Sequence, residues 1–265
     1  MKKLISLLLV LCFVMALAAC SEAPEKQETP TTEPSEATTE PATEATTEPE
    51  TEPATEATTE PAAPTVMSYE EYMAAEVDAL VCIEAYVQAT QSWWDNKITV
   101  YAQDQDGAYF LYEMACSEED AAKLVPGTKI RVTGDKAEWS GEIEIMNATF
   151  QFVEAEPFIA EALDVTELLG TDAIAEKQNQ KVLFKGLTVE KIAYKNDEPG
   201  DDIYVTLGYN GASYDFCVER YLTDPETEVY KTACELKEGD LVDIEGFLYW
   251  YEGINPHITA ITVAQ

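Results

Sequence analysis

The segment Leu124-Val-Pro-Gly-Thr-Lys-Ile-Arg-Val-Thr-Gly134 lies over Leu236-Lys-Glu-Gly-Asp-Leu-Val-Asp-Ile-Glu-Gly246. In each copy a glycine permits a turn before an alternating apolar run, and a second glycine sits seven residues later, inside that run. A glycine within a strand marks a sharp bend or a close backbone approach. A chain that makes this corner twice is constrained to two copies of one small β-unit, each with a strongly coiled strand at that position.

The elements around each corner follow one order. Ser68-Tyr-Glu-Glu71 has the spacing of a capping box and predicts a short helix to about Asp78. Strands are expected over Leu80 to Ala89, Lys97 to Gln103 and Ala108 to Ala115, with a turn at Asp104-Gln-Asp-Gly107. A capped helix from Ser117 to Leu124 then precedes strands Lys129 to Gly134 and Glu142 to Val153. The second copy repeats this with strands Lys181 to Ile192, Asp202 to Gly208 and Ser213 to Glu219, a helix Pro225 to Leu236, and strands Asp240 to Trp250 and His257 to Val263. Ala160 to Leu169 and Thr171 to Gln178 have helical spacing, so the joining segment is expected to pack as short helices.

The β-β-β-α-β-β order resembles the OB-fold, a five-stranded Greek-key barrel with a helix between strands three and four. An SH3-like barrel or a generic β-sandwich stays open as an alternative. The expected class is mainly β, with two tandem OB-like barrels. The domains are read as 66–155 with its leading helix, a helical linker 156–180, and 181–265.

The N-terminal part is different. Lys2 and Lys3 precede an apolar run from Leu4 to Ala16 that ends in Leu17-Ala18-Ala19-Cys20. This matches a secretory signal over residues 1–20 and is too short for a comfortable membrane span. Its ending resembles a bacterial lipobox, which implies lipidation of Cys20 and anchoring at the outer face of the cell membrane. The tandem copies also look like the tandem OB-fold lipoproteins of Gram-positive gut bacteria. Residues 21–65 hold eight of the thirteen prolines, no aromatic residue and no aliphatic one larger than alanine, and Thr39 to Pro49 recurs at Thr51 to Pro61. Such a segment cannot offset its chain entropy by burial and is expected to be a disordered stalk. At roughly 3 Å per residue it would reach on the order of 100 Å.

Charge narrows the partners. The formal charge is -35, of which residues 21–65 (twelve Glu, one Lys) contribute -11 and residues 66–265 (39 acids, 13 bases) contribute -26. So acidic a surface repels phosphate backbones and argues against nucleic acid. Four cysteines remain after the signal and Cys20: Cys82, Cys116, Cys217 and Cys234. Disulfides Cys82–Cys116 and Cys217–Cys234 are compatible with an oxidising compartment, although four cysteines allow three connectivities and free buried thiols are equally ordinary.

OB-folds commonly bind ligands on the face of strands two and three, walled by the hairpin loops. Candidate ligand-facing aromatics there are Trp93, Trp94 and Trp139 in the first copy and Tyr249, Trp250 and Tyr251 in the second. Strand alternation predicts that one of each adjacent pair is buried. The acidic loops Asn196 to Asp202 and Asp104 to Asp106 read as turns rather than calcium loops, and His257 reads as a partly exposed edge residue. With no catalytic constellation and no cofactor or metal motif, the expectation is a lipid-anchored, non-catalytic module for a small molecule, glycan or protein outside the cell. A structural role docking another exported envelope protein is the alternative, and an envelope-polymer hydrolase the third reading.

Overall fold

The computed structural model describes residues 64–264; the signal segment, Cys20 and nearly all of the predicted stalk lie outside them. Helix α1 (Tyr69–Ala74) begins at the expected capping box, with Ser68 and Glu71 each satisfying the other's backbone N–H. Five strands follow: β1 (Leu80–Thr90), β2 (Lys97–Gln103), β3 (Ala108–Ala115), β4 (Lys129–Trp139) and β5 (Glu142–Phe152), with the short helix α2 (Glu118–Ala121) between β3 and β4. They close in the order β1-β2-β3-β5-β4. Alternation builds the interior: Val81, Ile83, Ala85 and Val87 of β1 face Val100, Leu111, Ile130, Val132 and Ile145. Each Val, Ile or Leu side chain among them stabilises by roughly 1.5–3 kcal/mol on burial, enough to fix which strand face points inward.

The second set is β7 (Lys181–Tyr194), β8 (Ile203–Tyr209), β9 (Ala212–Val218), helix α3 (Glu228–Glu235), β10 (Leu241–Phe247) and β11 (His257–Val263). Its order is β7-β8-β9-β11-β10, and β10 pairs with β7 as well, so the strands return to their start. Strand order and the position of the helix match the first barrel. Between the two, the joining segment forms a two-residue strand β6 (Leu163–Asp164), which adds in parallel to the edge of β7, and two 3₁₀ turns at Thr166–Leu168 and Asp172–Lys177. The helical periodicity there is thus realised as 3₁₀ turns, because the segment must follow the barrel surface while its Val165, Leu169 and Ile174 plug the second core.

The duplicated glycines do the same work twice. Gly127 and Gly239 turn into β4 and β10 with φ of 90° and 93°. Gly134 and Gly246 each sit beside a register shift against the neighbouring last strand. A Cβ on Gly134 would lie 2.7 Å from the Met146 carbonyl, and one on Gly246 would collide with the His257 carbonyl. These are the bulges that let each strand coil around its barrel.

The second barrel packs on the outer face of the first. Tyr101 of β2 and Phe110 of β3 point outward from the first barrel and are buried against Phe247, with Leu222 and Tyr249 alongside. The Tyr101 ring stacks on Phe247 at 4.5 Å, and its hydroxyl bonds His257 Nδ1 at 2.5 Å. His257 is therefore not an edge residue; it is buried between the barrels and stacked on Tyr249 at 4.2 Å. Burial without an anionic partner holds its imidazole down, at about 3.

All four of these cysteines are free; of the two readings the sequence left open, disulfides or buried free thiols, the structure has the second. Cys116 packs inside the first core, whereas Cys82 alternates with the inward Val81 and Ile83 and so faces out. In the second copy Cys217 alternates with inward Phe216 and Val218, while Cys234 of α3 packs on the core side. In each barrel the two thiols lie on opposite sides of the sheet.

Candidate functional site

Part of the first barrel's outer β2–β3 face is left uncovered by the second barrel. Alternation puts Lys97 and Thr99 of β2 and Tyr112 of β3 on this free part, with Glu113 at the adjoining bulge. The β1–β2 hairpin supplies one wall. Asp95 and Asn96 both take positive φ, 46° and 59°, and close a two-residue turn in which Trp94 and Lys97 exchange backbone hydrogen bonds of 2.9 and 3.1 Å. Tyr221, in the loop after β9, forms the opposite wall, and its carbonyl accepts from the Ser92 N–H at 2.7 Å. Gln91, Ser92, Trp94, Lys97, Thr99, Tyr112, Glu113 and Tyr221 together enclose a cleft of about 270 Å³.

Three of its rings are open to solvent: Trp94 at 57%, Tyr112 at 38% and Tyr221 at 52%. Two cations stand at the site. Lys97 pairs with Glu113 at 2.6 Å, and the Arg220 guanidinium lies over the Tyr221 ring at 5.7 Å. The cleft is an aromatic slot with cations at its edge, set in an acidic molecule. Such rings offer flat apolar faces for a planar ligand.

The expected aromatics divide. Trp94 is in the cleft, and its neighbour Trp93 is turned inward, donating from Nε1 to the Cys116 carbonyl at 2.8 Å. Trp139 and Tyr251 are exposed but meet each other elsewhere, at 5.2 Å, where the β4–β5 turn touches the loop after β10. Tyr249 lies in the interface between the barrels, and Trp250 packs on the second core. The expected set therefore contributes one residue to the cleft, Trp94. Tyr112 and Tyr221 were missed. Tyr112 was legible from the parity of β3, being opposite to inward Leu111; Tyr221 was not, since only the docking of the barrels brings it there.

The acidic loops act as turns. Asp104 Oδ1 accepts from the Asp106 and Gly107 N–H groups at 2.8 Å, and Lys195 neutralises Asp201 and Asp202. Among the described residues no group of three or more His, Cys, Asp or Glu is placed to hold a metal ion.

No protein-family model matches the chain, and no curated protein does. Solved structures similar to it include a murine DNA-binding protein bound to double-stranded DNA, at 12% identity over 69% of this chain and 96% of that one, with a TM-score of 0.36. The Ifi202 HINa domain in complex with 20-bp double-stranded DNA is similar at 12% identity, over 70% of this chain and 98% of that one, with a TM-score of 0.32. A replication protein A heterotrimer bound to single-stranded DNA is similar at 13% identity, over 70% of this chain and 49% of that one, with a TM-score of 0.28. These findings stand against two expectations: that net charge sets nucleic acid aside as a partner, and that the function, read from the absence of a catalytic constellation, is binding of some other extracellular ligand. Charge summed over 200 residues says little about one cleft: this one is lined by Lys97 in an ion pair with Glu113, and Arg220 stands beside it over the Tyr221 ring. At such TM-scores the likeness assigns no ligand to this chain.

Proposed function

We propose that the cleft recognises unpaired nucleobases of a short single-stranded nucleic acid by stacking. The observation that carries this reading is the convergence of the half-exposed Trp94, Tyr112 and Tyr221 on one slot with Lys97 and Arg220 at its edge. Base–aromatic stacking contributes about 1–3 kcal/mol per base. Three rings accommodate at most two bases, so stacking supplies on the order of 2–6 kcal/mol, and the upper end corresponds to a Kd of about 40 µM. Two cations cannot neutralise a long phosphate backbone against a net -26, so a duplex tract is disfavoured relative to a few unpaired nucleotides. The Leu17-Ala-Ala-Cys20 ending supports, in addition, a lipid anchor at Cys20 that holds the barrels at the outer face of the membrane.

Titration of the full chain with hexathymidylate, followed by tryptophan fluorescence, tests the reading. Quenching is expected in the micromolar to millimolar range, with a 12-bp duplex binding more weakly. Trp94→Ala is expected to weaken binding roughly 5- to 150-fold, a loss of about 1–3 kcal/mol, while Trp139→Ala leaves it unchanged. No binding at millimolar hexathymidylate, or equal binding by the Trp94 variant, would sink the proposal.

A further inference from the structure

Glu142 and Glu144 belong to the part of the first barrel's outer face that the second barrel covers. They alternate with the inward Ile143 and Ile145 of β5 and are almost wholly buried, at 0% and 4% exposed. Glu142 joins three elements. Its Oε2 accepts from the Trp250 N–H of the second barrel at 2.8 Å and from Gln178 Nε2 of the joining segment at 3.3 Å. Its Oε1 is buried with no hydrogen-bond partner. The Asn179 carboxamide lies against the same carboxyl, donates from Nδ2 to the Ile143 carbonyl at 2.9 Å, and leaves its own Oδ1 buried and unpartnered. The joint thus holds two orphaned acceptors and lacks one donor, which a proton on Glu142 would supply.

The surroundings favour that proton. From β5 itself comes the second carboxyl, Glu144. From α1 comes Tyr72, whose buried hydroxyl has no partner, and from β3 comes Tyr112. The second barrel contributes Tyr249, with the neutral His257 stacked behind it. Lys136 of β4 is buried near Tyr72, but its ammonium is committed to the Tyr72, Met73 and Ala75 carbonyls at 2.8–3.0 Å. Among the described residues no free cation faces the pair. Burial accordingly pushes Glu142 up to about 8 and Glu144 up to about 7.

We propose that Glu142 and Glu144 form a proton-dependent latch that holds the second barrel on the first while both carboxyls are neutral and loosens the joint as they ionise. An ionised Glu142 would place a charge in a site with one bare oxygen and a second carboxylate close by; separation of the barrels rehydrates both. The sign follows from carboxyls raised above their ordinary 4.5. Docking is fully supported below about pH 4.5 and loses support from there up to about 7 for Glu144 and about 8 for Glu142, by up to about tenfold per pH unit for each group, with no further loss above. Since Tyr221 reaches the cleft from the second barrel, loosening would also withdraw one cleft wall; this consequence alone rests on the function proposed above.

The test needs no ligand, so its outcome is separable from that function. In the full chain, hydrogen exchange of the Trp250 amide reads the latch directly. Its protection factor is expected to fall at least about tenfold per pH unit from pH 5 to 7 and to level off above 8, while the Val132 amide of β4 keeps its protection. In Glu142→Gln/Glu144→Gln the Trp250 profile should be flat. Carboxyl ¹³C titration of the unsubstituted protein gives a second readout that does not depend on the variant folding, with a Glu142 midpoint expected above pH 7. A flat Trp250 profile in the unsubstituted protein, an unchanged slope in the double variant, or a Glu142 midpoint near 4.5 would each overturn the latch.

Discussion

His257 shows what one residue's surroundings do to its chemistry. Its Nδ1 shares a hydrogen bond with the Tyr101 hydroxyl, and among the described residues no carboxylate is placed to stabilise the cation. With its value held at about 3 against an ordinary 6.5, the stability it contributes is complete above pH 6.5 and is lost as pH falls towards 3. His257→Gln, which keeps an acceptor for Tyr101, should therefore be less stable than the parent at pH 7, and that deficit should shrink by roughly 3 kcal/mol by pH 4. Urea unfolding at the two pH values measures it; a deficit that does not change with pH would show that the imidazole is not held neutral. Nothing near His257 in the sequence announces this burial, because the groups that cover it, Tyr101 and Tyr249, come from both barrels. The tryptophan pair at 93–94 was more legible: alternation requires the two to part, and Trp93 goes inward to the Cys116 carbonyl while Trp94 stays out.

Among the elements, the strands were the readable part. Runs such as Lys97–Gln103 and Ala108–Ala115 have the alternation and flanking turns that define a half-buried strand, and they fold with those bounds. The joining segment was less so, since helical spacing does not distinguish an α-helix from a pair of 3₁₀ turns that plug a barrel end. The paired glycine corners carried the most structural information per residue. Gly246→Ala puts a methyl group into the His257 carbonyl and against the Ile258 Cα at 3.2 Å, both backbone, where no rotamer offers relief. Loss of about 2–3 kcal/mol is expected, of the kind overpacked sites show. Gly211→Ala, which meets nothing within 4 Å and only strains a φ of 81°, should cost about 1 kcal/mol. Thermal melts of the two variants compare them, and an equal shift would argue against a close approach at Gly246.

At the scale of the whole molecule, the acidity that first seemed to decide the partner decides the salt response instead. A binder that works through phosphate contacts loses affinity steeply as salt rises, with a slope near the number of contacts. Here the net charge opposes the ligand, and salt screens that repulsion within about 10 Å at 0.1 M. Hexathymidylate binding is expected to change by less than about 3-fold, or to strengthen, between 50 and 300 mM salt. A drop of tenfold or more would mean that Lys97 and Arg220 dominate and the rings are secondary. The ligand class was the least legible level, because the cleft is assembled from one barrel's face and the other barrel's loop.

The covering of Tyr101 and Phe110 by the second barrel has a consequence for length. An open β2–β3 face would let a strand run on from ring to ring, whereas here the track stops against Phe247 after a few side chains. For the strand proposed as ligand the docked barrel would be an end-stop: such a site would admit a terminus or a short gap and would give no purchase for polymerising along a long strand.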